Sequence, residues 1–255
     1  MIRWILLDIG NVLMNDDPAM ALLYYELHRA MCASGYRMPF EDLLGEREEL
    51  IRSRGPEHWG ILGRKYLGDD GHWRLMHRCA NRIRSDYMAC HALLPGVEEG
   101  VRSLAETYKL GIVANQLKEV VGALEEVGLG GYFQVQAISE LVGIRKPDPG
   151  IYRWALEKAG CIPQEAVMVG DRVDNDIAPA RSIGMWTVLF RIPHEAKGYR
   201  PRTDHERMYF ASQGRASISR INPSIPEETP DETVSDMPGL LSAISRIAEA
   251  ARAGS

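Results

Sequence analysis

Cysteine is scarce in this sequence. Four cysteines are spread over 255 residues, and no two of them form a CxxC pair: Cys32, Cys79, Cys90 and Cys161. Thiols this few and this dispersed cannot cross-link a chain of this size, and they lack the tight spacing of a zinc site. We therefore expect a reducing compartment, the cytoplasm.

Long apolar runs are also missing. No stretch approaches the roughly 20 apolar residues needed to cross a bilayer. The first apolar run, Trp4–Leu7, is interrupted by Asp8 too early to serve as a signal sequence. These features predict no membrane partner, and they agree with a cytoplasmic location.

The chain has no excess of positive charge. Its 30 Lys and Arg residues face 35 Asp and Glu residues, which gives a formal net charge of −5. Such a balance provides no electrostatic footprint for nucleic acid. With 45% hydrophobic residues the chain is long enough to bury a full core. The composition therefore favours small-molecule chemistry and predicts no nucleic-acid partner.

Charged side chains stand where apolar strands end. Asp8 follows the run Trp4–Leu7, Asp171 ends the run AVMVGD, and Lys146 lies between them in sequence. A buried carboxylate needs a cation, hydrogen-bond donors or a reaction to offset its desolvation. An Asp that caps a turn would explain either carboxylate alone. The pair together with a lysine favours a functional site.

Strands alternate with helices over the second half of the chain. This order predicts an α/β fold, a three-layer Rossmann-like parallel sheet whose ligands bind at the carboxyl ends of the strands. The segment 17–91 lacks a convincing strand and predicts an inserted all-helical cap domain, with 1–16 and 92–255 as the core. The predicted strands are 4–7, 109–114, 133–138, 166–169, 186–190 and 231–235; the predicted helices are 18–33, 40–54, 73–90, 97–108, 119–127, 149–159, 176–183 and 238–251.

The segment 191–230 is rich in Arg, Pro and Ser. We interpret it as an irregular surface loop of the core. A flap over the site and a contact in a homodimer stay open as alternatives.

Four stretches carry a resemblance to a known family. LLDIGNVL, LPGVEEGVRSLAETYKLGIVANQ, SELVGIRKPDPGIYRWALEKAG and AVMVGDRVDNDIAPARSIGMWTV resemble, in order, the four motifs of the haloacid dehalogenase-like (HAD) hydrolase superfamily. The resemblance implies a three-layer α/β core with a mobile helical cap. It also implies Mg2+-dependent phosphoryl transfer in most members and dehalogenation of short acids in a minority.

The resemblance assigns roles to individual residues. Asp8 would be the nucleophile that forms an aspartyl-phosphate. Asp8, the backbone carbonyl of Gly10 and Asp171 would hold Mg2+, which prefers hard oxygen ligands. Lys146 would be catalytic and would pair with Asp8 and with the phosphoryl oxygens of the substrate.

The loop after Asp171 offers three further polar residues. By resemblance, Asp176 would support the site by orienting Lys146 or a metal-bound water. Asp174 and Asn175 lie in the same loop and are open alternatives for that role.

The first departure from the family pattern is Gly10, which stands where most of the phosphatases carry a second aspartate as general acid and base. Such a group is typically worth roughly 10² to 10⁴ in rate. Asp16, Asp17 or a cap residue could supply the proton, the substrate could have a good leaving group, or turnover could be lost. The sequence DIGNV is similar to that of bacterial α-glucose-1-phosphate phosphatases of the superfamily, and this similarity favours an active enzyme.

The second departure is Ala114, at a position where the family usually has Ser or Thr to bind phosphate. The lost contact costs about 1.5–3 kcal/mol if nothing replaces it. The backbone N–H groups of Asn115 and Gln116, or the Asn115 amide, are the candidate substitutes for binding the substrate.

The sequence therefore predicts a capped α/β hydrolase, a Mg2+-dependent phosphatase acting on a small-molecule phosphate ester. Two alternatives remain. A 2-haloacid dehalogenase would attack carbon without metal, although Asp171 would repel an incoming carboxylate. A catalytically weak protein that binds a phosphorylated metabolite would be consistent with Gly10 and Ala114.

Overall fold

The structure is a computed structural model that describes residues 1–253. The chain divides into two compact units. The core unit comprises Met1–Asn15, Leu93–Gly198 and residues 222–253. The helical unit comprises Asp16–Ala92 and Tyr199–Ile221.

The strands and helices follow in chain order. The strands are β1 (Trp4–Leu7), β2 (Met14–Asn15), β3 (Ala92–Leu93), β4 (Lys109–Ala114), β5 (Phe133–Ile138), β6 (Ala166–Gly170), β7 (Trp186–Phe190) and β8 (Glu232–Val234). The helices are α1 (Asp17–Ala33), α2 (Phe40–Arg54), α3 (His58–Ser85), α4 (Tyr87–Cys90), α5 (Val97–Ala105), α6 (Val120–Glu126), α7 (Ser139–Val142), α8 (Gly150–Ala159), α9 (Ala178–Ser182), α10 (Asp204–Arg215) and α11 (Met237–Ala253).

The core unit is built on a six-stranded parallel sheet in the order β5-β4-β1-β6-β7-β8. Strand β1 is central and all four of its residues are buried, as expected of a strand covered on both faces. Leu7, its last residue, pairs with Ile112 of β4 and with Val169 of β6. The predicted α/β sheet is confirmed, and the chain leaves β1, β4 and β6 at the same edge.

Most predicted elements of the core unit have the observed boundaries within a few residues. β4, β5 and β7 match the predicted strands, and α2 in the helical unit matches the predicted helix 40–54. The helix predicted at 176–183 begins later, at Ala178, because 173–177 forms a wider turn in which the Asp176 side chain is bound.

The helix predicted at 73–90 is also different in the structure. Its residues belong to α3, which starts at His58 and is kinked at Gly68, and to the short α4. Gly68 has a φ of 66°, in the left-handed region that glycine adopts without a steric penalty. The backbone of α3 is non-helical at Gly68, so two helical segments meet at this glycine.

The prediction of an irregular loop over 191–230 was wrong for its middle part. Residues 204–215 form α10, and the Thr203 side chain caps its first turn by accepting a hydrogen bond from the Glu206 N–H. The segment Tyr199–Ile221 packs with the helical unit rather than with the core. The sequence signal was weak because α10 is largely polar and buries only Tyr209 and Phe210 among its large apolar side chains.

A buried arginine holds α10 within the helical unit. Arg47 of α2 is 2% exposed and donates hydrogen bonds to the Ser212 hydroxyl at 2.9 Å, to the Ala216 carbonyl at 3.1 Å and to the Gln213 side chain. Its guanidinium also lies 5.0 Å from the centre of the Tyr209 ring. The contacts explain how a polar segment far along the chain becomes part of the helical unit.

Within residues 1–253, every helix is too short or too polar to span a bilayer.

Candidate active site

Asp8 lies directly after β1 and is 8% exposed. Its carboxylate accepts hydrogen bonds from the Ile9 backbone N–H at 2.8 Å and from the Lys146 ammonium at 2.8 Å. Burial raises the pKa of Asp8, Lys146 opposes that effect, and the nearby Asp171 adds to it, so the pKa lies above its ordinary value. The carboxylate is therefore held in one orientation by two donors, and burial is the main reason for its raised pKa.

Lys146 joins two buried carboxylates. Its Nζ donates to Asp8 Oδ1 at 2.8 Å and to Asp176 Oδ1 at 2.6 Å, and the side chain is almost fully buried. Burial disfavours the ammonium form, but the charges of Asp176 and Asp8 outweigh burial and raise the pKa of Lys146. Lys146 is thus a fixed cation beside Asp8.

Asn115, directly after β4, clamps the backbone of Lys146. Its Nδ2 donates to the Lys146 carbonyl at 2.9 Å, and its Oδ1 accepts from the Lys146 N–H at 2.8 Å. The Asn115 amide was predicted as a possible phosphate ligand, whereas in the structure it binds the backbone of the lysine. The backbone N–H groups of Asn115 and Gln116 remain predictions for phosphate binding. The Gln116 carbonyl accepts a hydrogen bond from the Ser139 hydroxyl at 3.4 Å.

Asp8, Asp171 and Asp176 form a buried cluster in which one ligand atom from each lies within 4.8 Å of the others. The Lys146 ammonium contacts two of these three carboxylates, those of Asp8 and Asp176. Burial and Asp8 raise the pKa of Asp176 against the opposing effect of Lys146. Three carboxylates this close together offer the hard oxygen donors that fit Mg2+.

The structure separates the three polar residues of the loop after Asp171. Asp176 accepts from Lys146 and, through Oδ2, from the Arg172 N–H at 3.0 Å. Asp174 is exposed and pairs with the Arg172 guanidinium. Asn175 takes part through its carbonyl, which accepts from the Tyr152 hydroxyl at 2.5 Å. Of these three loop residues, Asp176 is the one whose side chain contacts the Lys146 ammonium.

The turn after Asp8 places Asn11 beside Asp171. Asn11 has a φ of 54°, a left-handed conformation that asparagine tolerates better than most residues. Its Nδ2 donates to Asp171 Oδ2 at 3.0 Å, and its Oδ1 accepts from the Lys197 ammonium at 2.7 Å. Gly10 contributes no side chain here, and the site therefore has no carboxylate at that position.

The two acids that the sequence offered as substitutes for a group at Gly10 belong to the helical unit. Asp17 is 1% exposed and accepts a hydrogen bond from the Gln213 side chain at 2.8 Å. Asp16 Oδ1 lies 3.6 Å from His91 Nε2. The buried contact of Asp17 favours a structural role, and proton donation by Asp16 stays a prediction.

Four residues that border the site were not predicted from the sequence: Asn11, Tyr152, Arg172 and Lys197. A polar residue next to the turn could have drawn attention to Asn11, and Arg172 follows Asp171 directly. Lys197 gave no such signal, because it lies 26 positions beyond Asp171 in a segment interpreted as irregular.

The chain is similar to known proteins along most of its length. A family model described as haloacid dehalogenase-like hydrolase matches residues 2–184. A glyceraldehyde 3-phosphate phosphatase of Methanopyrus kandleri is 31% identical over 198 residues, which are 75% of this chain and 84% of the relative.

Solved structures share the fold at lower identity. One, described as a predicted phosphoglycolate phosphatase from Haemophilus somnus 129pt, has a TM-score of 0.65 at 20% identity over 95% of this chain and 98% of the other. A 2-haloacid dehalogenase from Pseudomonas syringae pv. Tomato DC3000 has a TM-score of 0.56 at 22% identity over 96% and 99%. The family model covers well over half of the sequence, and the chain belongs to the haloacid dehalogenase-like hydrolases.

Proposed function

We propose that this protein is a Mg2+-dependent phosphatase that hydrolyses a small phosphorylated metabolite through an aspartyl-phosphate on Asp8. The observation that carries the proposal is the buried chain Asp8–Lys146–Asp176 beside Asp171. A carboxylate held by a lysine, next to further carboxylates that favour a divalent cation, suits attack on a phosphate dianion.

In the first step an oxygen of Asp8 forms a bond to phosphorus, and the bond between phosphorus and the ester oxygen breaks. Water then hydrolyses the acyl phosphate and releases inorganic phosphate. Lys146 stays charged throughout and donates to the phosphoryl oxygens, while Asp176 and the Asn115 clamp hold its position.

Asp8, Asp171 and the carbonyl of Gly10 would hold Mg2+. The bound ion would neutralise part of the negative charge that otherwise keeps a phosphate away from three carboxylates.

Two observations bear on the class of substrate. The similarity to proteins named glyceraldehyde 3-phosphate phosphatase favours a small phosphate ester of a metabolite. The absence of a side chain at Gly10 favours a leaving group that departs without a proton, such as a sugar 1-phosphate or an acyl phosphate. A panel that spans both kinds of ester separates these two expectations.

Dehalogenation remains the alternative reaction, and the fold is compatible with it because one of the similar structures is a 2-haloacid dehalogenase. The position of Asp171 argues against it. A haloacid carries its own carboxylate, which would have to approach Asp8 beside a second buried acid. Both the proposed Mg2+ site and this repulsion between carboxylates favour a phosphatase over a dehalogenase.

The test is phosphate release from glyceraldehyde 3-phosphate, hexose 1-phosphates, acetyl phosphate and an aryl phosphate, with Mg2+ and with EDTA. We expect release that requires Mg2+ and that disappears in Asp8→Asn. Asp174→Asn is the matched control, because it makes the same chemical change at an exposed carboxylate that pairs with Arg172. Its activity should stay close to that of the wild type.

Three results would contradict the proposal. Release that persists in Asp8→Asn would exclude Asp8 as the nucleophile. Metal-independent halide release from 2-chloropropionate would favour a dehalogenase. Binding of phosphate esters without turnover would favour a catalytically weak binding protein.

The cytoplasmic location and a homodimer stay predictions. All four cysteines are free thiols in the structure, which supports a reducing compartment.

A further inference from the structure

Lys197 is a buried lysine of the core unit that the proposed mechanism does not use. It ends the short helical turn His194–Lys197, which follows β7, and it is 7% exposed. Gly198 ends the turn with a φ of 70°, and a Cβ there would lie 3.1 Å from Pro95 Cγ. Gly198, next to Lys197, thus packs closely against Pro95 of the core unit.

A chain of two hydrogen bonds leads from Lys197 to Asp171. The ammonium donates to Asn11 Oδ1 at 2.7 Å, and Asn11 Nδ2 donates to Asp171 Oδ2 at 3.0 Å. An ammonium can only donate, so it requires the amide oxygen of Asn11 to face it. The amide NH2 is then directed to Asp171, and the alternative orientation, with the oxygen toward the carboxylate, is excluded.

We propose that Lys197 is a positioning residue for Mg2+ binding, acting on Asp171 through Asn11. The inference rests on the proposed function, in which Asp171 is a metal ligand. By fixing the amide, Lys197 supplies one oxygen of Asp171 with a constant donor and holds the carboxylate plane in one orientation. Outer partners of metal-binding carboxylates typically change metal affinity by about 10- to 100-fold when they are removed.

The experiment measures Mg2+ binding by isothermal titration calorimetry without substrate. Lys197→Met keeps the side-chain stem and removes the charge, and Asn11→Gly removes the amide while tolerating the left-handed backbone. Lys109→Met is the matched control, since Lys109 is an exposed lysine at the start of β4, the opposite end of the sheet. Thermal unfolding without Mg2+ and circular dichroism check that each variant is folded.

We expect Mg2+ affinity to fall about 10-fold or more in Lys197→Met and in Asn11→Gly, and to be unchanged in Lys109→Met. The double variant should bind Mg2+ no more weakly than Asn11→Gly alone, because Lys197 acts through Asn11. At saturating Mg2+, the KM for the phosphate ester should be unchanged. A purely structural role would lower thermal stability and leave the affinity of the folded protein unaltered.

Two results in the variants and one in the wild type would overturn the inference. Wild-type Mg2+ affinity in Asn11→Gly would remove the link to Asp171, even if Lys197→Met failed to fold. A raised substrate KM with normal Mg2+ affinity in Lys197→Met would make Lys197 a substrate contact. Normal Mg2+ binding by the wild type without any phosphate release would refute the proposed function alone, whereas no Mg2+ binding by the wild type would refute both.

Discussion

Gly170, the last residue of β6, packs directly against Asp176, and adding one methyl group there tests the geometry of the site. A Cβ on Gly170 would lie 2.2 Å from Asp176 Cβ and 2.3 Å from its Cγ. Carbon atoms in ordinary contact are about 3.5–4.0 Å apart, so Asp176 would have to retreat by more than about 1 Å. The atom that must move is close to the backbone, and a rotamer change cannot relieve the clash.

The retreat of Asp176 would break its hydrogen bonds with the Lys146 ammonium at 2.6 Å and with the Arg172 N–H at 3.0 Å. Overpacking alone costs about 1–3 kcal/mol, and breaking a buried ion pair costs about 3–5 kcal/mol when one partner is left behind. These effects overlap, so we expect Gly170→Ala to lower the free energy of unfolding by roughly 3–5 kcal/mol. Phosphate release should fall together with stability, because Lys146 would lose its second carboxylate.

Urea unfolding followed by circular dichroism measures the loss, and Gly122→Ala is the control. Gly122 lies on the exposed face of α6, where an added Cβ meets nothing within 4 Å. The same chemical change should therefore stabilise the protein there, by about 0.5–1 kcal/mol. If Gly170→Ala unfolded within 1 kcal/mol of the wild type and kept its activity, the close packing of Asp176 would be refuted.

Three further predictions concern the helical unit and the lysine clamp. Glu48→Gln should lower the free energy of unfolding by roughly 0.5–1 kcal/mol at pH 7. Burial raises the pKa of Glu48, but the hydrogen bonds from Arg215 lower it overall. In urea titrations the stability difference between wild type and variant should therefore be complete above about pH 4.5 and shrink as the pH falls further. Arg47→Met should lower the free energy of unfolding by roughly 3–5 kcal/mol, measured in the same way, because the acceptors that Arg47 satisfies would stay buried. Asn115→Ala should reduce kcat by about 10-fold or more with unchanged circular dichroism, since it frees the backbone of Lys146; wild-type kcat would refute the clamp.

The sheet and the centre of the site were predictable because their signals are local. Asp8 and Asp171 each end an apolar run, and parallel strands bring such ends to one edge of the sheet. The resemblance to the family placed Lys146 beside them, and the structure shows its ammonium 2.8 Å from Asp8 Oδ1.

The remaining contacts depend on tertiary packing, which leaves no periodic signal in the sequence. The amide of Asn115 is bound by the lysine backbone, so its type alone could not reveal which group it serves. Helix α10 is polar and is stabilised by Arg47 from α2, 165 positions away from Ser212. Lys197 contacts Asn11 from the turn after β7, 186 positions away in the sequence.

The lack of a side chain at Gly10 predicts how the rate depends on the leaving group of the substrate. Because no side chain there can protonate the departing oxygen, the logarithm of kcat/KM should fall steeply as the pKa of the leaving alcohol rises across a series of aryl and alkyl phosphates. Gly10 does not adopt a positive φ, so its backbone conformation is compatible with an aspartate. Gly10→Asp should raise kcat/KM for alkyl phosphates by roughly 10²-fold and change it little for aryl phosphates. Gly10→Asn, of the same size but unable to transfer a proton, should leave the slope steep. A shallow slope in the wild type would show that another group already delivers the proton, and Asp16 would then be the residue to test. Equally steep slopes in the two variants would show that an aspartate at position 10 does not protonate the leaving oxygen.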